Sequence, residues 1–179
     1  MQKALGRHGL MKQKIKKYAR PLLWCAFALY LLALVCVLFV VPRSAKFSTY
    51  ELYFRYSTNF IPFKTIFGYI GKALQNPSWL RLSSLNILGN LVLFLPMGAF
   101  LPCLCRRFDR LWKTALAVAA MVVCAEGLQM LLLVGILDVD DFILNVPGAA
   151  IGYGLTKIKP INNLLRDIGV IQEDEINLK

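Results

Sequence analysis

Four long stretches of apolar residues, separated by short polar segments, constrain the fold of this chain more than any other feature. Of its 179 residues, 58% are hydrophobic and only 17% are charged, whereas soluble domains are typically about half apolar and about a quarter charged. A helix needs about 20 apolar residues to cross a hydrocarbon core about 30 Å thick. The sequence therefore predicts an all-α membrane protein, a bundle of about four transmembrane helices, with spans at about residues 21–42, 85–104, 111–137 and 142–158.

The predicted domain organisation is a single membrane domain with a tail at each end. Residues 1–20 form a basic tail, residues 21–158 the transmembrane domain and residues 159–179 a second, polar tail. The first span follows a basic segment, as in a cleaved signal peptide, but it exceeds the usual apolar region of about 7–15 residues and lacks an A-x-A cleavage site. A retained signal anchor is the favoured interpretation. The fourth span is glycine-rich, which would let helices approach closely.

Blocks of lysine and arginine predict the orientation of the spans, because short basic segments stay in the cytoplasm. Three segments carry such blocks: the N-terminal tail, the turn at residues 105–113 and the C-terminal tail. The turn between the third and fourth spans carries only the acidic residues Asp138, Asp140 and Asp141. We therefore expect a multi-pass protein with both termini in the cytoplasm. The net charge of +11 does not indicate nucleic-acid binding, because the basic residues are not interleaved with aromatic ones along a face.

The loop at residues 43–84 contains more than a simple linker, although its six basic residues fit an external position poorly. It holds an N-F-I-P-F segment from Asn59 through Pro62 to Phe63, and a second apolar segment at residues 66–70. Such segments suit an amphipathic or re-entrant element in the first outer loop, lying in the membrane interface or folding back onto the bundle. An ordinary amphipathic surface helix explains them equally well.

Seven polar residues within or beside the predicted spans form a candidate polar site. Asn86 and Asn90 are four residues apart, and Glu126 and Gln129 are three apart, so each pair shares a helix face. Asp138, Asp141 and Asn145 follow steps of three and four residues, which would keep them on one face of the fourth span. All three groups fall toward the non-cytoplasmic side, where we expect them to share a cavity open to the outside.

Two interpretations of this cluster remain open. An ionisable residue inside a span costs about 3 kcal/mol on insertion scales, so Glu126 is not expected to face lipid. The cluster could be an interhelical polar clamp, or it could bind a ligand or a proton. No cofactor is required by the sequence, but a divalent cation could be held by Glu126, Asp138 and Asp141. The five cysteines lie in or beside apolar stretches and indicate no disulfide framework.

Four motifs in a fixed order make the chain resemble the VanZ-like family of bacterial membrane proteins. The first is N-F-I-P-F, and the second is N-x-x-G-N-x-x-x-F-x-P-x-G. The third is E-x-x-Q, and the fourth is D-x-x-D-x-x-x-N-x-x-G. Besides the seven polar residues, these motifs contain Asn59, Pro62, Phe63, Gly89, Phe94, Pro96, Gly98 and Gly148. Many family members carry an arginine shortly before the first aspartate of the fourth motif, where this chain has Gly135, Ile136 and Leu137.

The resemblance implies a multi-pass protein of the bacterial plasma membrane that belongs to the cell envelope. The name-giving member is associated with resistance to the glycopeptide antibiotic teicoplanin. One hypothesis is a non-catalytic factor that binds a lipid-linked cell-wall intermediate, or another envelope protein, through the outward-facing site. A second is a membrane-embedded enzyme that acts on a phosphate-bearing lipid by carboxylate acid/base or magnesium-type chemistry. A third is a small proton- or cation-coupled transporter acting as an oligomer. The oligomeric state itself is not predicted.

Overall fold

The computed structural model describes residues 2–40 and 48–171, and almost all of them lie in helices. The first part of the chain contains α1 (Gln2–Val35), which continues as a π-helical turn (Cys36–Val40), then α2 (Tyr50–Tyr56), β1 (Thr58–Asn59) and α3 (Lys64–Gln75). After a 3-10 turn (Pro77–Trp79) come α4 (Leu80–Leu93) and α5 (Leu95–Leu104). The rest comprises a 3-10 turn (Arg106–Phe108), α6 (Leu111–Leu131), β2 (Leu137–Asp138), α7 (Val139–Lys157) and α8 (Lys159–Asp167).

Three helical segments are long and apolar enough to cross a membrane. They are Ile15–Val40, Pro77–Leu104 and Leu111–Leu131. Helix α7 is not one of the three, although it packs against α4, α5 and α6 and so lies at the centre of the bundle. The prediction of an all-α helical bundle is therefore confirmed. A membrane crossing by α7, the predicted fourth span, stays a prediction.

The helix boundaries differ from the predicted spans at three places. Helix α1 already begins at Gln2, so the basic segment expected as a tail is the first part of the same helix. Helix α6 ends at Leu131 and not at residue 137, because Leu133 and Gly135 have the positive φ values of 53° and 75° that interrupt a helix. The segment expected as a polar tail includes helix α8, and Val170 beyond it is buried.

The second span is broken at Phe94, where α4 ends and α5 begins. Pro96 has no backbone N–H and cannot bond to the carbonyl of Val92 four residues earlier, which disrupts the helix at this point. The Tyr30 hydroxyl of α1 donates a hydrogen bond of 2.9 Å to the carbonyl oxygen of Leu93, the last residue of α4. The second span is therefore interrupted beside Pro96, and a side chain from a neighbouring helix forms a hydrogen bond at the break.

Glycines allow α7 to lie directly against the backbone of α4 and α5. A Cβ atom added to Gly148 would overlap the carbonyl oxygen of Leu91, and one added to Gly152 would overlap that of Leu95. From the opposite side, a Cβ on Gly98 would overlap the carbonyl oxygen of Ala149. The close approach expected from the glycine-rich fourth segment is thus observed, and we call this contact the glycine seam. It fixes the position of α7 relative to the kinked second span.

The two ends of the bundle differ in their charged residues. One end, here called the acidic end, contains the start of α7 with Asp138, Asp140 and Asp141, and α3, β1 and the end of α6 meet there. At the other end, the basic end, the Tyr153 hydroxyl of α7 bonds to the carbonyl oxygen of Asp109, and Gly169 lies against Lys16 of α1. This basic end contains the arginines at 106, 107 and 110 and the lysines at 113, 157 and 159.

Candidate functional site

Asp138 anchors the acidic end of the bundle. Its backbone is extended and lies in β2, where it pairs with Asn59 of β1, and its side chain caps the N-terminus of α7. One carboxylate oxygen accepts hydrogen bonds from Asn59 Nδ2 and from the backbone N–H of Asp140, both at 2.9 Å. The other accepts from the Thr65 hydroxyl at 2.6 Å. Asp138 thus precedes α7. The sequence had suggested that Asp138 and Asp141 share one face of this helix, but Asp138 lies outside the helix.

Asp140, which the sequence analysis did not select, is the most deeply buried carboxylate of this end, with 1% of its surface exposed. Its oxygens accept hydrogen bonds from the backbone N–H groups of Phe63, Thr65 and Ile66, at 2.5, 2.7 and 3.0 Å. These N–H groups belong to the first turn of α3, which has no side-chain cap of its own. Asp140 therefore supplies the cap from another part of the chain. Its position, two residues after Asp138 and directly before Asp141, gave no periodic signal.

The N-F-I-P-F segment forms the turn that leads into α3. The Asn59 side chain accepts a hydrogen bond from the backbone N–H of Ile61 and donates to the Asp138 carboxylate. Phe63 has a φ of 64°, in the left-handed region, and its N–H points to Asp140. Helix α3 packs against α4, and the Phe63 and Phe67 side chains stay exposed. The segment therefore leads into an amphipathic helix, α3, that is folded onto the bundle, which is one of the alternatives that the sequence left open.

The two asparagines of α4 face α3 and α7. Asn90 is buried, and its amide nitrogen donates to the Asp141 carboxylate. Asn86, one turn earlier, lies 3.4 Å from the Tyr69 hydroxyl of α3. Gly89, which lies between them in the motif, has open space where a Cβ would be and makes no close approach.

Gln129 and Glu126 of α6 point to different surroundings. Gln129 is buried, and its amide nitrogen donates a hydrogen bond of 2.7 Å to the carbonyl oxygen of Leu38, in the π-helical turn that ends α1. The turn after α6 passes over the Gln129 side-chain amide. A Cβ atom added to Gly135 in this turn would lie 3.1–3.2 Å from the atoms of that amide. Glu126 lines a separate groove beside α7.

A polar cavity of about 310 Å³ lies between α3, α4 and the start of α7, and five of the seven predicted site residues line it. The lining residues are Thr65, Tyr69, Leu82, Leu85, Asn86, Asn90, Gln129, Gly135, Ile136, Asp138 and Asp141. The adjacent groove, of about 400 Å³, is largely apolar and contains Glu126 together with Phe60, Met130 and Phe142. Asp138 borders both spaces. The structure therefore places Glu126 in a neighbouring groove and not in the cavity itself.

Asn145, the seventh predicted residue, does not line the cavity. It is buried in α7, one turn after Asp141, and its side-chain oxygen accepts no hydrogen bond within the described residues. Glu126 and Asn145 are therefore not among the residues that line this cavity, and a common site for all seven side chains stays a prediction. The rotation of each helix about its axis, which the sequence does not reveal, separates them from the other five.

Tyr53 of α2 is a further residue of this end that the sequence analysis missed. It is completely buried. Burial raises the pKa of Tyr53, the charge of Glu126 raises it further, and a hydrogen bond with the backbone of Leu137 lowers it. The hydroxyl of Tyr50 in the same helix bonds to the carbonyl oxygen of Leu131 at 3.2 Å. Helix α2 thus joins the end of α6 to β2.

The carboxylates of the acidic end do not form a metal-binding group. Across residues 2–40 and 48–171, no three His, Cys, Asp or Glu side chains are grouped as metal ligands. Glu126, Asp138 and Asp141, the three candidate ligands, are divided between the groove and the cavity. The arrangement is better suited to hydrogen bonding, because amide, hydroxyl and carboxylate groups converge on one small space.

The comparison with protein families matches the VanZ/LLP1 family model over residues 27–160. This range contains all four motifs and ends where α8 begins. No curated protein and no solved structure matches the chain.

Proposed function

This chain belongs to the VanZ-like family, and from that premise we propose that it is a cell-envelope membrane protein that binds a lipid-linked envelope component. The proposed binding site is the polar cavity between α3, α4 and α7. Through this site the protein would influence susceptibility to glycopeptides such as teicoplanin.

The observation that carries the proposal is the contrast between the interior of the cavity and its rim. Asn90, Gln129 and Asp138 in its lining are at most 6% exposed, whereas Leu82, Leu85 and Ile136 are 50%, 60% and 42% exposed. These apolar residues can contact lipid chains while the polar interior receives a headgroup. A ligand with both parts, such as a lipid-linked intermediate, fits this division.

The orientation of the bundle is part of the proposal. Under the positive-inside rule, the basic end faces the cytoplasm and the acidic end, with its cavity, faces outward across the plasma membrane. Both termini would then be cytoplasmic and the chain would cross the bilayer several times. A reporter that is active only in the cytoplasm, fused after Lys179, should be active. An inactive but expressed fusion would contradict this orientation.

The geometry favours binding over acid/base catalysis. Both oxygens of Asp138 accept hydrogen bonds, and Asp140 is fully engaged with the backbone of α3. These contacts engage the oxygens of both carboxylates and fix the elements around the cavity. A general acid would need a proton that is available for transfer to a substrate.

Substitutions in the cavity test the proposal. We expect Asn90→Leu to reduce the amount of co-purified lipid-linked material, measured by mass spectrometry, and to change teicoplanin susceptibility in a host that depends on this chain. Asn163→Leu on the exposed face of α8 is the matched control and should change neither. If Asn90→Leu protein is expressed at normal levels and retains the same lipid, the cavity is not the binding site.

A further inference from the structure

Helix α8 is held at both of its ends at the basic end of the bundle. Ile158 has an extended backbone and separates α7 from α8. In the first turn of α8, Asn162 Nδ2 donates a hydrogen bond of 3.0 Å to the carbonyl oxygen of Thr156 in α7. After the last turn, Gly169 lies against Lys16 of α1. The helix therefore runs from the end of α7 to α1 in a fixed orientation.

The apolar side chains of α8 share one face, which the described part of the chain covers only in part. Steps of three and four residues place them on the same side of the helix. Leu165 and Ile168 are half-buried, whereas Ile161 and Leu164 are 38% and 58% exposed. Ile158, just before the helix, is also exposed and extends this surface. An apolar strip of α8 is therefore available to a partner.

The other face of α8 and its surroundings carry an excess of positive charge. Lys159 and Arg166 are exposed and two turns apart, so they share the face opposite to the apolar strip. Further exposed basic residues lie at this end: Lys16, Lys17, Arg20, Arg106, Arg107, Arg110 and Lys157. The acidic residues that the structure describes here are Asp109, which pairs with Lys113 at 2.6 Å, and Asp167. The charge of this surface is therefore complementary to an anionic partner.

Exposed aromatic residues lie at the same level of the bundle. Tyr18, 62% exposed, follows Lys16 by two residues. Trp112, 60% exposed, follows Asp109, whose carbonyl oxygen accepts a hydrogen bond from the Tyr153 hydroxyl of α7. Tyrosine and tryptophan concentrate where the headgroups of a bilayer meet its acyl chains. The aromatic residues therefore indicate that α8 lies at this boundary.

We propose that α8 binds anionic lipids of the membrane surface, with its apolar strip among the acyl chains and Lys159 and Arg166 beside the headgroup phosphates. Helices with one apolar and one basic face bind membranes in this way. A second copy of the chain on the same face would bring two basic surfaces together, which charge repulsion opposes. Under the proposed orientation the surface is that of the cytoplasmic leaflet. The inference does not depend on what the polar cavity binds.

Quenching of a single tryptophan by brominated lipids tests the inference with the full chain in bilayers. The background replaces the exposed tryptophans at 24, 79 and 112 by phenylalanine. Leu164→Trp then places a reporter on the apolar strip, and Asn163→Trp places a control on the polar side. The bilayers mix phosphatidylcholine and phosphatidylglycerol with identical acyl chains, and either lipid carries the bromine. We expect stronger quenching of the reporter than of the control, and a local preference for phosphatidylglycerol of about fivefold or more.

Removal of charge separates binding of an anionic lipid from simple contact with the bilayer. Lys159→Gln combined with Arg166→Gln should lower the preference at the reporter several-fold, because each basic residue near an anionic surface contributes about fivefold. Lys64→Gln combined with Arg81→Gln removes the same charge from exposed positions in α3 and α4. This control should leave the preference unchanged.

Three results would overturn the inference. Equal quenching of reporter and control would show that the apolar strip is not in the bilayer, which is also the result expected if another protein segment covers it. Equal quenching by the two brominated lipids would show that anionic headgroups are not selected. Equal losses of preference in the two double variants would show that the charges of α8 have no special part. All four charge substitutions are at exposed side chains, and circular dichroism of each variant verifies that the helices are retained.

Discussion

Helix α7 holds the bundle together in two different ways along its length. At its start, Asp138 and Asp140 fix β1 and α3 through hydrogen bonds with buried carboxylates. In its second half, Gly148 and Gly152 fix α4 and α5 because they have no side chains. The glycine half packs backbone against backbone, whereas the polar half borders a cavity. The glycine half that holds the bundle together and the polar half that borders the candidate site are therefore adjacent parts of one helix.

The largest expected effect tests whether the polar half is also structural. Asp140→Ala would leave three buried N–H groups of Phe63, Thr65 and Ile66 without an acceptor, and we expect a loss of about 3–5 kcal/mol in the free energy of unfolding. Asp167→Ala, on an exposed aspartate at the end of α8, is the control and should change little. Chemical denaturation in detergent measures both. A small effect at Asp140 would show that α3 is not held by this carboxylate.

The glycine seam should respond to the addition of a single methyl group. Gly148→Ala would force α7 away from the carbonyl of Leu91, and we expect a loss of about 2–3 kcal/mol. Gly154→Ala lies on the same helix with nothing within 4 Å of the added Cβ, so it should be neutral or slightly stabilising. Thermal unfolding of the two variants compares them directly. Equal melting temperatures would show that the seam does not need glycine.

A milder change separates the charge of Asp138 from its role as a cap. Asn at this position keeps one acceptor oxygen for the N–H of Asp140. Its amide nitrogen replaces the other oxygen and cannot accept the hydrogen bond from the Thr65 hydroxyl. We expect Asp138→Asn to cost about 1–2 kcal/mol of stability. The double variant with Thr65→Val should lose less than the sum of the two single changes. Additive losses in chemical denaturation would mean that the contact of 2.6 Å contributes no coupling.

The smallest effect concerns the pKa of Tyr53 beside the groove. Glu126→Gln removes a negative charge that raises the pKa of Tyr53, so deprotonation should become easier and the pKa should fall. It should remain above its ordinary value because burial is the larger cause. Ultraviolet absorbance of the phenolate measures the shift, and Tyr53→Phe identifies the signal. An unchanged pKa would show that Glu126 is uncharged or points away from Tyr53.

Sequence reasoning identified the membrane bundle, the close approach of a glycine-rich helix and the gathering of polar residues at one end. These features depend on the composition and spacing of residues near one another in the chain. Asn86 and Asn90 illustrate this, since a spacing of four residues places both on one face of α4 whatever the helix packs against. The family resemblance was likewise carried by local motifs, and the match over residues 27–160 confirms it.

Only the tertiary structure decided which polar groups meet. Glu126 and Gln129 share a helix face by spacing, yet they line different spaces because Asp138 lies between the groove and the cavity. The role of Asp140 depends on the N-terminus of α3, about 75 residues earlier in the chain. Each residue along a helix turns its side chain by about 100°, so a small change in helix rotation or end point selects a different partner. Spacing along the chain does not determine that rotation; packing against the neighbouring helices does.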